Sequence, residues 1–225
     1  QRHLRAHRKA HPHAAAVENG GLRMKKLLIM LTPAAMLVLA APFAIAQESQ
    51  TPAPATVDAA KGLSEWDKVY AVFSHPRCAD CHVADDRPRW SGAHYGGTRV
   101  HAFNVQRGAD GSGFGNPGLR CTACHFSSNS KALHGPPGAE NWHLAPAEMA
   151  WFGKSSAEIC AQIKDPLRNG NRSLKDIALH VRDDRLVAWG WAPGPDREPA
   201  PDSAEATYQA IEDWAAAGAS CPPGQ

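Results

Sequence analysis

The chain is poor in the patterns that mark most enzyme classes, and it has only four methionines and three tyrosines in 225 residues. No P-loop, Rossmann unit or Ser-His-Asp arrangement can be traced, so phosphoryl, hydride and acyl transfer lack their usual machinery. No alternating apolar and polar run is long enough for a convincing strand, which argues against a sheet-based fold. Neither sign of charge dominates, with 24 Lys and Arg against 22 Asp and Glu. The first 46 residues hold seven of those bases and one of the acids, so the remainder carries 17 against 21 and is a poor partner for nucleic acid.

Long apolar runs are equally scarce. The one that occurs, Leu27 to Ala46, follows Lys25 and Lys26 and ends in Ala44-Ile45-Ala46, which reads as a cleavable signal peptide over residues 24–46. The run is just long enough to span a bilayer, so an uncleaved anchor is the competing reading. Residues 1–23 lack an initiating Met and are rich in His, Arg and Ala; they read as upstream sequence from a misplaced start, outside the fold. Cleavage would leave 179 residues in the periplasm, a length suited to one domain. All six cysteines lie in that exported part, where oxidising conditions require each to be paired or chemically committed.

Residues 47–63, mostly Ala, Pro, Thr, Ser and Gln, read as a flexible leader. Ser64 and Asp67 then predict a helix start, with Trp66, Val69, Tyr70 and Phe73 on one face. Between Gly92 and Gly118 eight glycines break every period, so this stretch is expected to be loop that something else must organise. Ser155 with Glu158, and Ser173 with Asp176, open two further helices, and a last one runs from about Ser203 to Ala217 with Gly218 as its stop. The expectation is a mainly α domain over residues 64–225 with long irregular connections, which 18 prolines and 19 glycines fit.

Two segments carry the chemistry, Cys78-Ala79-Asp80-Cys81-His82 and Cys121-Thr122-Ala123-Cys124-His125. Each is a complete Cys-x-x-Cys-His, the attachment signature of c-type haem. Two thiols three residues apart can each form a thioether to one haem vinyl group, and the adjacent imidazole then reaches the iron. The pattern therefore predicts two covalent haems, with His82 and His125 as proximal ligands and short helices and Gly/Pro-rich loops packed around them. Zinc shared by all four thiols is the alternative. Cys160 and Cys221 remain over, and are expected to form a disulfide or to stay as two free thiols.

Counting constrains the sixth ligand of each iron. Met149 is the only methionine beyond the signal peptide, so at most one iron is His/Met. His101, 23 residues after Cys78 in a flexible loop, and His143, 18 residues after His125 in a Trp-containing stretch that forms a distal arm for the second haem, are the preferred distal candidates. His134 and Met149 are close rivals. His75 lies too near Cys78 for the distal face of its own haem but is placed to serve the other, His180 sits beside an apolar helix face, and His94 reads as solvated. Trp142, Trp151, Trp189 and Trp191 read as pocket wall.

The chain resembles a family of small exported dihaem cytochromes c labelled isoquinoline 1-oxidoreductase subunit. The resemblance is carried by His75 to His82, by His101-Ala102-Phe103-Asn104-Val105-Gln106-Arg107-Gly108, by Cys121 to His125, by Pro136-Pro137-Gly138, by Trp142-His143-Leu144 and by Trp189 to Pro195. It implies a multihaem cytochrome c-like fold, and electron transfer from a molybdenum and iron-sulfur hydroxylase to a downstream cytochrome or oxidase. Leu119 departs from the pattern, where relatives have Met. The expected role is electron carriage without a substrate pocket. The rivals are a dihaem peroxidase-like enzyme with one five-coordinate iron, and a haem-based sensor.

Overall fold

A computed structural model of the protein describes residues 58–91 and 97–224. The expected signal peptide, residues 1–23, the leader up to residue 57 and His94 lie outside them. Asp58 accepts a hydrogen bond from the Lys61 amide at 3.0 Å and caps helix α1, Ala59–Phe73. The helix thus begins five residues before Ser64, which corrects the expected start and shortens the expected leader at its end. Tertiary packing explains the extra turn: a Cβ on Gly62 would lie only 3.3 Å from the Ala217 Cβ, so the glycine lets this turn lie directly on the last helix.

The other long helices start where side-chain chemistry dictates. Ser155 and Glu158 form a reciprocal capping box for α3, Ser156–Ile163, and Ser173 and Asp176 do the same for α4, Leu174–Asp183. In this chain order α2 is Pro76–Ala79, α5 is Arg185–Ala188 and α6 is Ala204–Ala216, opened by Ser203. Helix α6 packs on α1 and α4, and α3 packs on α1. Trp66, Val69, Phe73, Ile159, Ile211 and Trp214 are buried where these helices meet. The Trp66 indole N–H donates to Ser156 Oγ at 2.8 Å, and its ring lies 4.8 Å from that of Trp214. Cys160 and Cys221 are joined by a disulfide that ties the segment after α6 to α3.

The fold is mainly helical, and no helix among the described residues is long and apolar enough to cross a membrane. The middle of the chain is different in kind. It holds two antiparallel pairs of two residues each, β1 Arg89–Trp90 with β2 Arg99–Val100 and β3 Gly115–Asn116 with β4 Leu119–Arg120. Among the described residues of 84–138, Pro88 is the only buried large apolar residue, while Phe103, Phe126 and Leu133 are exposed. The described residues of this middle section therefore contribute almost nothing to the core.

Candidate haem sites

The first Cys-x-x-Cys-His is held on a short helix built for it. His75 Nδ1 accepts from the Arg77 amide at 3.2 Å and caps α2, and Pro76 occupies its first position, where a missing N–H costs nothing. Cys78 lies on α2 and Cys81 just after it, both with free thiols. His82 follows, with Nδ1 2.8 Å from the Met149 carbonyl oxygen. A carbonyl only accepts, so Nδ1 carries the proton and Nε2 keeps its lone pair. The ring lies flat on Trp151, centroids 3.5 Å apart and planes 1° apart, and Trp151 in turn stacks on Phe73 at 4.3 Å. The His82 carbonyl accepts from the Trp151 and Phe152 amides, so this segment grips the histidine from both ends.

The second motif repeats the arrangement on an unrelated scaffold. Cys121–Ala123 form one turn of 3-10 helix after β4, and His125 Nδ1 lies 2.8 Å from the Pro137 carbonyl oxygen. Its ring stacks on Trp142, centroids 4.5 Å apart and planes 5° apart. Trp142 meets the edge of Trp189, whose indole N–H donates to Asn129 Oδ1. Both motif histidines thus have Nδ1 tied to a backbone carbonyl, one face covered by a tryptophan, and Nε2 as the remaining nitrogen. Burial holds both down to about 4, so both are neutral and able to ligate at physiological pH. Burial also pushes Cys78 and Cys81 up to about 12 and raises Cys121, which keeps these thiols protonated.

Cys81 of the first motif and Cys121, Cys124 and His125 of the second line a cavity of about 440 Å³, which Cys78 and His82 do not reach. Val105, Leu119, Trp142 and Leu144 make much of its wall apolar. Arg77, Arg89, Arg120 and Arg197 bring positive charge to it. Arg77 Nε and Asp80 Oδ1 are buried at this wall without a hydrogen-bond partner, and burial raises Asp80 to about 6. A large planar apolar group with carboxylate arms fits this combination of thiols, free imidazole nitrogen, apolar wall and arginines. No group of three or more His, Cys, Asp or Glu side chains that could hold a metal ion is found among the described residues.

The distal candidates separate clearly. His101, His134 and His143 line the cavity. His101 lies 5.9 Å from His125, ring centre to ring centre. His143 and His180 are close enough to His82 to oppose its protonation, together with Arg172. His180 also lies 3.5 Å from Asp184. Met149 meets His82 Nδ1 through its carbonyl, and its methyl group lies against Gly170, where an added Cβ would come within 2.9 Å. His75 is engaged in capping α2.

Sequence reasoning missed Arg77, Asp80 and Arg107. Arg107 is buried with all three guanidinium nitrogens lacking a hydrogen bond, its nearest acid being Asp86 at 3.7 Å. For Arg107 the signal available was the density of arginines between the motifs, in a stretch without helical period; Arg77 and Asp80 adjoin or lie within the first motif and carried no such signal. The chain matches no protein-family model, no curated protein and no solved structure.

Proposed function

We propose that this protein is an exported c-type cytochrome that carries two covalent haems and passes electrons, without a substrate of its own. The observation that carries the reading is the repeated presentation of the motif histidine: Nδ1–H on a carbonyl, ring against a tryptophan, Nε2 left for iron. Haem, when bound, supplies a one-electron iron centre. The chain's own residues do the rest. Cys78, Cys81, Cys121 and Cys124 would attach it, each thiol adding across a vinyl double bond with sulfur on one carbon and its proton on the other, so attachment consumes no oxidant.

The Met149 and Pro137 carbonyls fix the ring tautomer and make each imidazole a stronger donor, the usual outer-shell device for a metal-bound histidine. Trp151 and Trp142 fix the rotation of each ring and exclude water from one face. Arg77, Arg89, Arg120 and Arg197 offer partners for haem carboxylates along the cavity wall. Such fixed positive charge disfavours the ferric state and so raises the potential. The mature location follows from the signal peptide read over residues 24–46, and the partners from the family resemblance: a molybdenum and iron-sulfur hydroxylase as donor, a cytochrome or oxidase as acceptor.

The test is the protein produced in a host with cytochrome c assembly. Two haems per chain in the pyridine haemochrome assay, with no spectral change when carbon monoxide is added to the reduced protein, supports a carrier with six-coordinate irons. A carbon monoxide shift in half of the haem would favour the peroxidase-like or sensor alternative. No covalent haem would refute the reading.

A further inference from the structure

His101 stands in the loop that follows the first motif, yet its ring faces the histidine of the second. The two ring centres are 5.9 Å apart and the rings are inclined at 60°. That separation is too long for a direct hydrogen bond between the rings and too short for an intervening residue. With imidazole–metal bonds of about 2 Å, two imidazoles on opposite sides of one metal atom hold their ring centres about 6 Å apart.

The nitrogens agree with the spacing. His101 Nδ1 lies 2.8 Å from the Ala102 carbonyl and His125 Nδ1 2.8 Å from the Pro137 carbonyl, so each ring has Nε2 left over. Both rings line the same cavity. The loop is fixed where it needs to be: the His101 amide donates to the Pro88 carbonyl at 2.9 Å, just beyond the β1–β2 pairing. Phe103 and Asn104 turn the chain away again through two left-handed residues, φ 60° and 53°.

We infer that His101 is the second axial ligand of the iron carried by His125, so that the loop after the first motif completes the coordination of the second haem. This rests on the dihaem reading. It also crosses the two halves of the motif region, since the segment after Cys78 then serves the second site.

The experiment compares wild type with His101→Ala and His101→Met, all matured with haem. Covalent haem should stay at two per chain in each. His101→Ala should gain one carbon monoxide-binding, high-spin haem per chain relative to wild type, and added imidazole should return it to the low-spin form. His101→Met should acquire the far-red iron–thioether band that wild type lacks. Unchanged carbon monoxide uptake and spin state in His101→Ala would overturn the assignment. If His101→Ala loses the second haem, His101→Met decides: two haems with no new band would also overturn it. Absence of covalent haem from wild type would instead refute the dihaem reading itself.

Discussion

Removing the Cys160–Cys221 bridge should cost stability through the unfolded chain. The bond links residues 61 apart in sequence, and the folded segment it fastens is already held by other contacts. The Trp214 indole N–H donates to the Ser220 carbonyl at 2.8 Å and Lys164 Nζ to the Ala219 carbonyl at 2.7 Å. The native state therefore needs little from the bridge to keep its shape, whereas the unfolded chain loses the freedom of a long loop. Loop-closure entropy for that separation is about 14 cal/mol/K, or about 4 kcal/mol at 25 °C. At about 2 to 4 °C per kcal/mol for a domain of this size, the melting temperature should fall by about 8 to 16 °C. Cys160 is fully buried, so Cys160→Ala with Cys221→Ala is the proper perturbation, because serine would bury an unpartnered hydroxyl. Thermal and denaturant unfolding, followed by far-ultraviolet circular dichroism, measure the effect. A loss below about 1 kcal/mol would refute the loop-entropy account.

Gly138→Ala should destabilise by about 1 to 3 kcal/mol, since its Cβ would collide with the Ser128 and Phe126 carbonyl oxygens. The Pro137 carbonyl must then move off His125, so a redox titration should show a shift in one haem potential and not the other. Met149→Leu should leave the oxidised and reduced spectra unchanged and cost less than about 1.5 kcal/mol, because the thioether packs on Gly170; loss of a ligand band would contradict this. Hydrogen bonds from the Ser155 backbone, then from Lys154 and Ser155 side chains, hold Glu158 down to about 2. A depressed carboxylate stabilises above its unfolded value near 4.5 and loses that contribution as pH falls toward 2, so Glu158→Gln should flatten acid unfolding over that window.

The helical half was legible because its signals are local. Ser155 with Glu158 and Ser173 with Asp176 are reciprocal caps within four residues, and Ile177, Ala178 and Val181 repeat at helical spacing. The start of α1 was missed because Ser64 satisfies the same rule as Asp58, and only the fit of Gly62 against Ala217 decides between them. Helices α2 and α5 are single turns whose caps, His75 and Asp184, serve segments too short to show a period. At the site, the two Cys-x-x-Cys-His motifs are contiguous and readable. The carbonyls of Met149 and Pro137, the tryptophan behind each ring and the approach of His101 to His125 depend on contacts 12 to 69 residues apart, which no spacing rule reports.

The division of the chain gives a reason, in this reading, for covalent attachment at the second motif. Helices α1, α3, α4 and α6 bury Trp66, Ile159, Ile211 and Trp214 among themselves and are fastened by a disulfide, so that half is stable on ordinary terms. The described residues of 84–138 bury almost nothing apolar, and their fastenings are a few polar bonds outward, such as Asn129 Nδ2 to the Ala192 carbonyl and Arg197 Nη2 to that of Gly135. Loop of that length costs conformational entropy that such bonds do not offset. A haem tethered at Cys121 and Cys124 would give the section the apolar body around which it closes, and a ligand from His101 would pin the loop that precedes it. Cofactor attachment and the folding of the middle section are then one event, coupled as metal binding and folding are in small metalloproteins.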